Sequence, residues 1–264
     1  MLRVGADLHC AVTDAAAIEE PLEIRLGGQP FVVIMRTPGA DRDLAAGFLC
    51  SEQIVAGGSD IATMRYCNDA DGRDVHNILN VWLMGEAAAR AQRALLGRRH
   101  VTANSACGVC GRRSIQDLLE GARTVSTRHP VSRAVVESMP DALRRAQHTF
   151  DRTGGLHAAG LFDLTGRLLR VAEDVGRHNA VDKVIGASLL AGDKTLDSAV
   201  LFVSGRTSFE IVQKAVVAGI PVVASISAPS SLAIELARDA GVTLAGFVRG
   251  HSFNIYTHRE RIVL

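Results

Sequence analysis

The fold class can be read from the stretch Ala199-Val-Leu-Phe-Val203-Ser-Gly-Arg-Thr-Ser208, which leads directly into Phe209-Glu-Ile-Val-Gln-Lys-Ala-Val-Val-Ala218. Its five leading apolar residues, closed by a loop of serine, glycine and threonine, are typical of a fully buried strand, and the second part has the length of a helix. The same order then repeats, with a strand predicted over 221–226, a loop over 227–231 and a helix over 232–239. Alternation of this kind indicates helices packed against a largely parallel sheet, so we predict the α/β class.

The pattern extends in both directions from this stretch. Upstream, 156–162 and 168–172 predict two strands joined by a turn at 163–166, and 180–190 predicts a helix. Downstream, 242–248 and 253–256 complete the sheet. Further helices are predicted at 114–119 and at 140–148, the second with Pro140 in its first turn, where proline is tolerated.

The N-terminal part has a different character. Two alternating runs, 19–26 and 31–35, flank the turn signal Gly27-Gly28 and predict a β-hairpin. A helix over 41–49, a strand over 77–83 and a helix over 86–96 follow. We therefore predict a smaller N-terminal α+β region over residues 1–100 and an α/β domain over 101–264.

Composition narrows the functional classes. The chain is 47% hydrophobic and 22% charged with a formal net charge of +1, so nothing global points to nucleic acid or a membrane surface. No apolar run reaches the roughly 20 residues of a membrane span, and the first residues lack a signal-peptide pattern. Five cysteines form no disulfide framework, which predicts a cytoplasmic protein with reduced thiols. Only three of the 29 basic residues are lysines, so anion contacts are expected mostly from arginine.

The strongest local motif is the cysteine pair in Asn104-Ser-Ala-Cys107-Gly-Val-Cys110-Gly-Arg112-Arg113-Ser114. The glycines let the backbone expose sulfur, and the following arginines and helix start favour the thiolate. Such a thiolate can accept and donate sulfur. A zinc site, a thioredoxin-like redox pair and two ordinary buried cysteines are the alternatives. The residues favour the sulfur-carrying thiolate and leave the other three open.

A second group of polar residues comprises His157 and the run Glu173-Asp-Val-Gly-Arg177-His178-Asn-Ala-Val-Asp182-Lys183. Charged residues this dense between apolar segments indicate a cleft at the end of a sheet. The alternative is a solvated loop in which His178 or Asn179 precedes the helix predicted from residue 180.

Two loops have the composition of a phosphate site. Ser204-Gly-Arg206-Thr-Ser208 lies between a strand and a helix, where backbone amides and an arginine can hold phosphate, although it lacks the Walker pattern. Ser227-Ala-Pro-Ser-Ser231 follows the next strand, and ligands of open α/β sheets collect at the carboxyl ends of strands. The alternative for both loops is ordinary helix capping.

The tail Phe247-Val-Arg249-Gly-His251-Ser252-Phe253-Asn-Ile-Tyr256 combines aromatic rings with hydrogen-bonding groups. Its rings and arginine can stack on a purine. The chemistry alone slightly favours a plain hairpin with core aromatics.

Taken together, these segments resemble the formate dehydrogenase accessory sulfurtransferase family, usually called FdhD. The resemblance covers most of the chain and rests on several segments in order. They are Glu19-Glu-Pro-Leu-Glu-Ile24, Met35-Arg-Thr-Pro-Gly39, Cys107-Gly-Val-Cys110-Gly111, Thr153-Gly-Gly-Leu-His-Ala-Ala159, Glu173 to Lys183, Ser204-Gly-Arg-Thr-Ser208 and Phe247 to Tyr256.

The resemblance implies a function. The family takes persulfide sulfur from a cysteine desulfurase and passes it to the molybdenum bis(guanine dinucleotide) cofactor for formate dehydrogenase. It implies a homodimer with a fold similar to cytidine deaminase, in which the cofactor is a bound substrate and no permanent metal is expected. By position, Cys107 is the persulfide-bearing cysteine and Cys110 its partner.

Cofactor-binding residues are expected in two segments and at one histidine. The resemblance assigns the cofactor loop to Phe247, Val248, Arg249, Gly250, His251 and Ser252. Phosphate chemistry adds Ser204, Gly205, Arg206 and Thr207, and His178 is expected beside them.

Two rival functions are weighed against the sulfur carrier. A zinc deaminase needs a glutamate two residues after its histidine, but His157-Ala158-Ala159 lacks it, and the cysteine pair precedes the histidine without a proline. A chaperone that binds the cofactor without carrying sulfur fits better and would tolerate Cys107→Ala.

Overall fold

The computed structural model describes residues 1–4, 9–68, 74–98, 124–126, 129–193 and 195–264. Cys107, Cys110 and the helix predicted at 114–119 lie outside the described residues. The strands are β1 Leu2–Val4, β2 His9–Ala11, β3 Glu20–Leu26, β4 Gln29–Arg36, β5 Ile61–Asn68, β6 Asp74–Leu83, β7 Val131–Ser132, β8 His157–Asp163, β9 Leu168–Asp174, β10 Ala199–Val203, β11 Val222–Ser225, β12 Thr243–Arg249, β13 Ser252–Thr257 and β14 Ile262–Val263. The helices are α1 Asp41–Ser51, α2 Gly85–Arg98, α3 Arg133–Arg145, α4 His148–Thr153, α5 Arg177–Leu190, α6 Phe209–Val217 and α7 Ser231–Asp239.

The N-terminal sheet has four strands in the order β4-β3-β6-β5. The predicted hairpin β3–β4 is confirmed: Gly27 and Gly28 have φ of +56° and +87°, and a two-residue type I′ turn requires positive φ at both positions. Every second residue of β3 from Leu22 to Leu26 is buried, as the alternating sequence predicts. Strand β5 did not appear in the sequence prediction.

The larger sheet has six strands in the order β13-β12-β11-β10-β8-β9. Strands β10, β11 and β12 are parallel, whereas β8, β9 and β13 pair antiparallel with their neighbours. The sheet is therefore mixed rather than largely parallel, because β8–β9 and β12–β13 are joined by turns too short for a parallel crossover. The α/β class, with a mixed sheet flanked by helices and a smaller N-terminal α+β part, is confirmed.

The prediction for the helix at 140–148 is wrong in its bounds. Helix α3 begins at Arg133, and Pro140 lies in its interior rather than in its first turn. Ser132 caps the helix, since its hydroxyl accepts a hydrogen bond from the Val135 amide at 3.3 Å. The buried residues Val136, Met139 and Leu143 form an apolar stripe on one face, and its burial outweighs the hydrogen bond lost at the proline.

The two sheets are joined by a close crossing of α1 and α5. A Cβ atom added at Gly47 would overlap the backbone of Asp182, and one added at Gly186 would overlap the backbone of Asp43. The two backbones can therefore touch only where both helices carry glycine. One hydrophobic core extends from Leu22 of the N-terminal sheet to Leu201 of the larger sheet.

The boundary predicted near residue 100 stays a prediction, because residues 99–123 are not described. Within the described part of the chain, no helix is both long and apolar enough to cross a lipid bilayer.

Candidate functional site at the strand ends

The predicted polar segments meet at one end of the larger sheet. The parallel strands β10, β11 and β12 all end there, and the antiparallel strand β8 begins there at His157. Helices α5 and α6 begin at the same end, at Arg177 and Phe209. We call His157, Arg177, His178, 204–208 and Glu210 the strand-end cluster.

Gly205 lies directly against two members of this cluster. A Cβ atom at Gly205 would lie 3.3 Å from His157 Nδ1 and 3.6 Å from Arg177 Cδ. Burial lowers the pKa of His157, and the positive charges of Arg177, His178 and Arg206 lower it further, while Asp174 acts in the opposite direction. Protonation of His157 is therefore disfavoured, and Arg177 and Arg206 supply the positive charge that an anionic ligand would need.

His178 links the first turns of α5 and α6. Its Nε2 atom lies 3.0 Å from Ser208 Oγ and 2.8 Å from Glu210 Oε2. Because both contacts involve the same ring nitrogen, this is not a serine–histidine–glutamate relay, which uses one nitrogen for each partner. Ser208 and Glu210 instead fix the His178 imidazole at the junction of the two helices.

The loop 204–208 is held by its neighbours on both sides. Ser204 Oγ accepts a hydrogen bond from the Ala158 amide at 2.8 Å. The Thr207 amide donates to Ala228 O at 3.2 Å, and the Ser230 amide donates to Thr207 O at 3.0 Å. The two predicted phosphate loops therefore lie side by side.

The capping alternative differs between these two loops. Ser230 caps α7 by accepting from the Ala233 amide, but Ser208 makes no side-chain cap for α6 and contacts His178 instead. Among the described residues, the buried atoms Thr207 Oγ1 and Arg177 Nε have no hydrogen-bond partner. Buried polar atoms are normally satisfied, so these two unpaired groups offer hydrogen-bonding capacity to a polar ligand at the cluster.

Phe247 and Arg249 form a small platform at the end of β12. Phe247 has φ of +55°, which is unusual for an aromatic residue, and its side chain is 39% exposed. The Arg249 guanidinium lies 5.7 Å from the Phe247 ring centroid, and Arg249 Nε donates to Ile226 O at 3.0 Å. Val248 is fully buried, so any contact it makes with a ligand comes from its backbone.

The rest of the predicted cofactor loop lies at the β12–β13 turn. Gly250 occupies this turn with φ of +55°. His251 and Ser252 line a separate cleft of about 710 Å³ together with Arg133 and Arg259. Arg133 Nη2 donates to His251 O at 2.9 Å, which ties the turn to α3. The sequence segment 247–252 thus contributes to two neighbouring surfaces.

Most of the other charged residues of 173–183 are structural. Asp174 is fully buried and pairs with Lys183 Nζ at 2.7 Å, and Asp182 pairs with Lys214 Nζ at 2.8 Å. The Glu173 carboxylate accepts hydrogen bonds from the first amides of α4. Residues 173–183 therefore form neither a cleft alone nor a solvated loop. Within this run, Arg177 and His178 belong to the strand-end cluster.

Sequence reasoning missed Glu210 and Thr37. Glu210 lies in the first turn of α6, where a carboxylate is ordinarily explained by the helix dipole. Nothing in the sequence around Glu210 indicates its contact with His178 on a different helix. Thr37 was noted only as part of the segment Met35–Gly39, and its contacts with residues 174–183 appear only in the structure.

The three described cysteines have different surroundings. Cys50 is buried as expected, and desolvation, followed by the negative charge of Asp182, raises its pKa to about 11. Cys10 is exposed and Cys67 half-buried. Among the residues that the structure describes, no cluster of histidine, cysteine or carboxylate side chains is arranged to hold a metal ion.

Comparison with known proteins now identifies the family. The model of the FdhD/NarQ family matches residues 17–263. The chain belongs to this family. A relative from Anaeromyxobacter dehalogenans strain 2CP-C, named sulfur carrier protein FdhD, is 51% identical over 260 residues, which cover 96% of this chain and 90% of that protein. Another protein of the same name, from Nocardia farcinica, is 48% identical over 94% of this chain and 88% of its own length.

A solved structure has the same fold as this FdhD/NarQ chain. It is the crystal structure of a putative formate dehydrogenase accessory protein from Desulfotalea psychrophila, with a TM-score of 0.78. The match covers 100% of this chain and 97% of that one at 24% sequence identity.

Proposed function

We propose that this protein is a sulfur carrier that accepts persulfide sulfur from a cysteine desulfurase and transfers it to the molybdenum bis(guanine dinucleotide) cofactor for formate dehydrogenase. The observation that supports this most strongly is 51% identity to a protein named sulfur carrier protein FdhD over 96% of the chain. The cysteine pair Cys107-Gly-Val-Cys110 supplies the thiols that such a function needs.

The loading step is a thiol–persulfide exchange. The Cys107 thiolate attacks the outer sulfur of the desulfurase persulfide, forming one S–S bond on Cys107 while the S–S bond of the desulfurase breaks. The desulfurase cysteine leaves as a thiolate, so the exchange needs no external oxidant or reductant. Arg112 and Arg113 follow the pair and favour the attacking thiolate.

The strand-end cluster and the Phe247–Arg249 platform are the proposed contact surface for the cofactor. Arg177 and Arg206 meet phosphate groups together with the first amides of α5 and α6, because helix N-termini attract anions. The exposed Phe247 ring and Arg249 guanidinium provide a surface on which a guanine stacks. His251 and Ser252 extend this surface along the β12–β13 turn.

The decisive experiment is peptide mass spectrometry after incubation with a cysteine desulfurase and free cysteine, without reductant. We expect one additional sulfur on the peptide that contains Cys107 and Cys110, removed by thiol treatment and absent in Cys107→Ala. Cys50→Ala is the matched control, because its buried thiol with a raised pKa should not accept sulfur.

The rival is a chaperone that binds the cofactor without carrying sulfur. The observation in its favour is the strand-end cluster, where Arg177 and two helix starts lie together and could hold an anion without the cysteine pair. Unchanged formate dehydrogenase maturation by Cys107→Ala, with no sulfur added to the wild-type peptide, would replace the carrier proposal by this one.

A homodimer also remains part of the proposal, and light scattering on the purified protein tests it.

A further inference from the structure

All three polar groups of Thr37 bond to residues 174–183, which comprise the end of β9, the turn after it and the first half of α5. Its amide donates to Asp174 Oδ2 at 3.1 Å, and its hydroxyl accepts from the Val175 amide at 3.1 Å. Its carbonyl accepts from Lys183 Nζ at 2.9 Å. Thr37 lies just after β4, in the N-terminal half of the chain, so these contacts join residues 137 to 146 positions apart.

Asp174 holds the same turn from the other side. Its carboxylate accepts hydrogen bonds from the Gly176 amide at 2.8 Å, from Asn179 Nδ2 at 2.8 Å and from Lys183 Nζ at 2.7 Å. Asn179 Nδ2 also donates to Met35 O at 2.8 Å. Residues 174–176 are thus fixed between the N-terminal segment and α5.

This turn ends directly at Arg177 and His178. Arg177 lies beside Gly205, where an added Cβ atom would be in ordinary van der Waals contact with Arg177 Cδ at 3.6 Å, and His178 Nε2 lies 3.0 Å from Ser208 Oγ. Because Arg177 and His178 begin α5 directly after this turn, a displacement of the turn moves both side chains relative to Gly205 and Ser208. The Gly176 N-cap of α5 provides no side-chain cap that would hold the helix start in place.

We propose that Thr37 is a positioning residue of the strand-end cluster. Its hydroxyl fixes the β9–α5 turn and thereby sets the orientation of Arg177 and His178 toward Gly205 and Ser208. The inference rests on the proposed function only for the choice of ligand, which is guanosine diphosphate. The orientation itself is a property of the protein without ligand.

The test compares Thr37→Val, which removes the hydroxyl at nearly constant shape, with Thr37→Ser, which keeps it. One readout is the ¹⁵N chemical shifts of the His178 ring at fixed pH without ligand, assigned with His178→Gln. The other is the dissociation constant for guanosine diphosphate at low salt. We expect Thr37→Val to shift the His178 signals and weaken binding about five- to tenfold, the effect of losing one hydrogen bond, while Thr37→Ser resembles the wild type.

The outcomes separate the two proposals. A Thr37→Val protein with a lower melting temperature but unchanged His178 signals and affinity would show that Thr37 is only structural. If Arg206→Ala and Arg249→Ala bind guanosine diphosphate like the wild type, the proposed ligand surface is wrong, and the His178 signals alone decide the role of Thr37. Should Thr37→Val fail to fold, Thr37→Ala gives the same comparison with less steric demand.

Discussion

At the scale of single residues, His157 shows how the surroundings of a side chain decide its charge. Its sequence context, Gly-Leu-His-Ala-Ala, contains no ionisable neighbour. In the structure it is half-buried, with Arg177, His178 and Arg206 near enough to act on it. Burial and these charges both oppose protonation, so the folded protein favours the neutral ring.

A pH dependence of stability follows from the lowered pKa of His157. The unfolded chain takes up a proton near the ordinary value of 6.5, whereas the folded chain does so only at lower pH. The unfolded state therefore binds more protons in this window. The contribution of His157 to stability is fully present above about pH 6.5 and is lost as the pH falls toward the folded pKa. We expect His157→Gln to make the decrease in melting temperature between about pH 7 and about pH 5 shallower.

The check is thermal unfolding followed by circular dichroism across this range. His148→Gln serves as the control, since His148 lies at the start of α4 and outside the strand-end cluster. Equal pH profiles for wild type and His157→Gln would contradict the prediction.

At the scale of secondary-structure elements, the crossing of α1 and α5 sets the position of the whole strand-end cluster. Helix α5 carries Arg177 and His178, and it lies against α1 through Gly47 and Gly186. Glycine in a helix interior normally costs about 1 kcal/mol relative to alanine, so the two glycines serve this contact rather than helix formation. Close backbone packing leaves no room for a methyl group at either position.

We expect Gly186→Ala to destabilise the protein despite the better helix propensity of alanine. The new methyl group meets the Asp43 backbone, which cannot rotate away, and overpacking of this kind costs about 1–3 kcal/mol. Urea unfolding gives the free energy of unfolding. Gly57→Ala is the control for the added methyl group alone: Gly57 has extended backbone outside any helix, and the nearest atom to its added Cβ lies 3.8 Å away. A Gly186→Ala protein as stable as this control would rule out the tight crossing.

At the scale of the whole molecule, buried polar pairs join the two sheets across the shared core. The Lys183–Asp174 pair contacts Thr37 of the N-terminal half, and the Lys214–Asp182 pair contacts Ser51 at the end of α1. The side chains of Lys183 and Asp174 are 4% and 0% exposed. Removal of one partner therefore leaves a charge with neither water nor a counter-ion.

Asp174→Asn is expected to cost about 3–5 kcal/mol of unfolding free energy, because it leaves Lys183 buried without its carboxylate. Asp193→Asn, in the pair with Arg170, is the control: its side chains are 30% and 41% exposed, and such pairs contribute at most about 1 kcal/mol. Chemical denaturation of both variants measures the difference. Similar values for the two would mean that Asp174 does not stabilise the junction of the sheets.

The sequence predicted most elements of this fold because their signals are local. The Gly27-Gly28 turn specifies a hairpin, and the apolar runs of β10, β11 and β12 specify buried strands. Helix α3 was placed too late because Pro140 suggested a helix start, whereas the stripe Val136–Met139–Leu143 decides the helix through its burial. Only the tertiary structure shows whether an apolar stripe on a helix packs against a sheet.

The sequence by itself determined the α/β class, the family resemblance and the segments that meet at the strand ends. It did so because hydrophobic periodicity, turn residues and motif order act over a few neighbouring positions. Only the tertiary structure decided which charged residues pair in the core and which stay in the cluster. Asp174 and Arg177 are three residues apart, yet Asp174 is paired with Lys183 and accepts a hydrogen bond from the Thr37 amide. Arg177 instead lies against Gly205, with its Nε atom unpaired among the described residues. Thr37 lies 137 positions from Asp174 in the sequence, and Gly205 lies on a different element from Arg177, so local patterns carry no information about either contact.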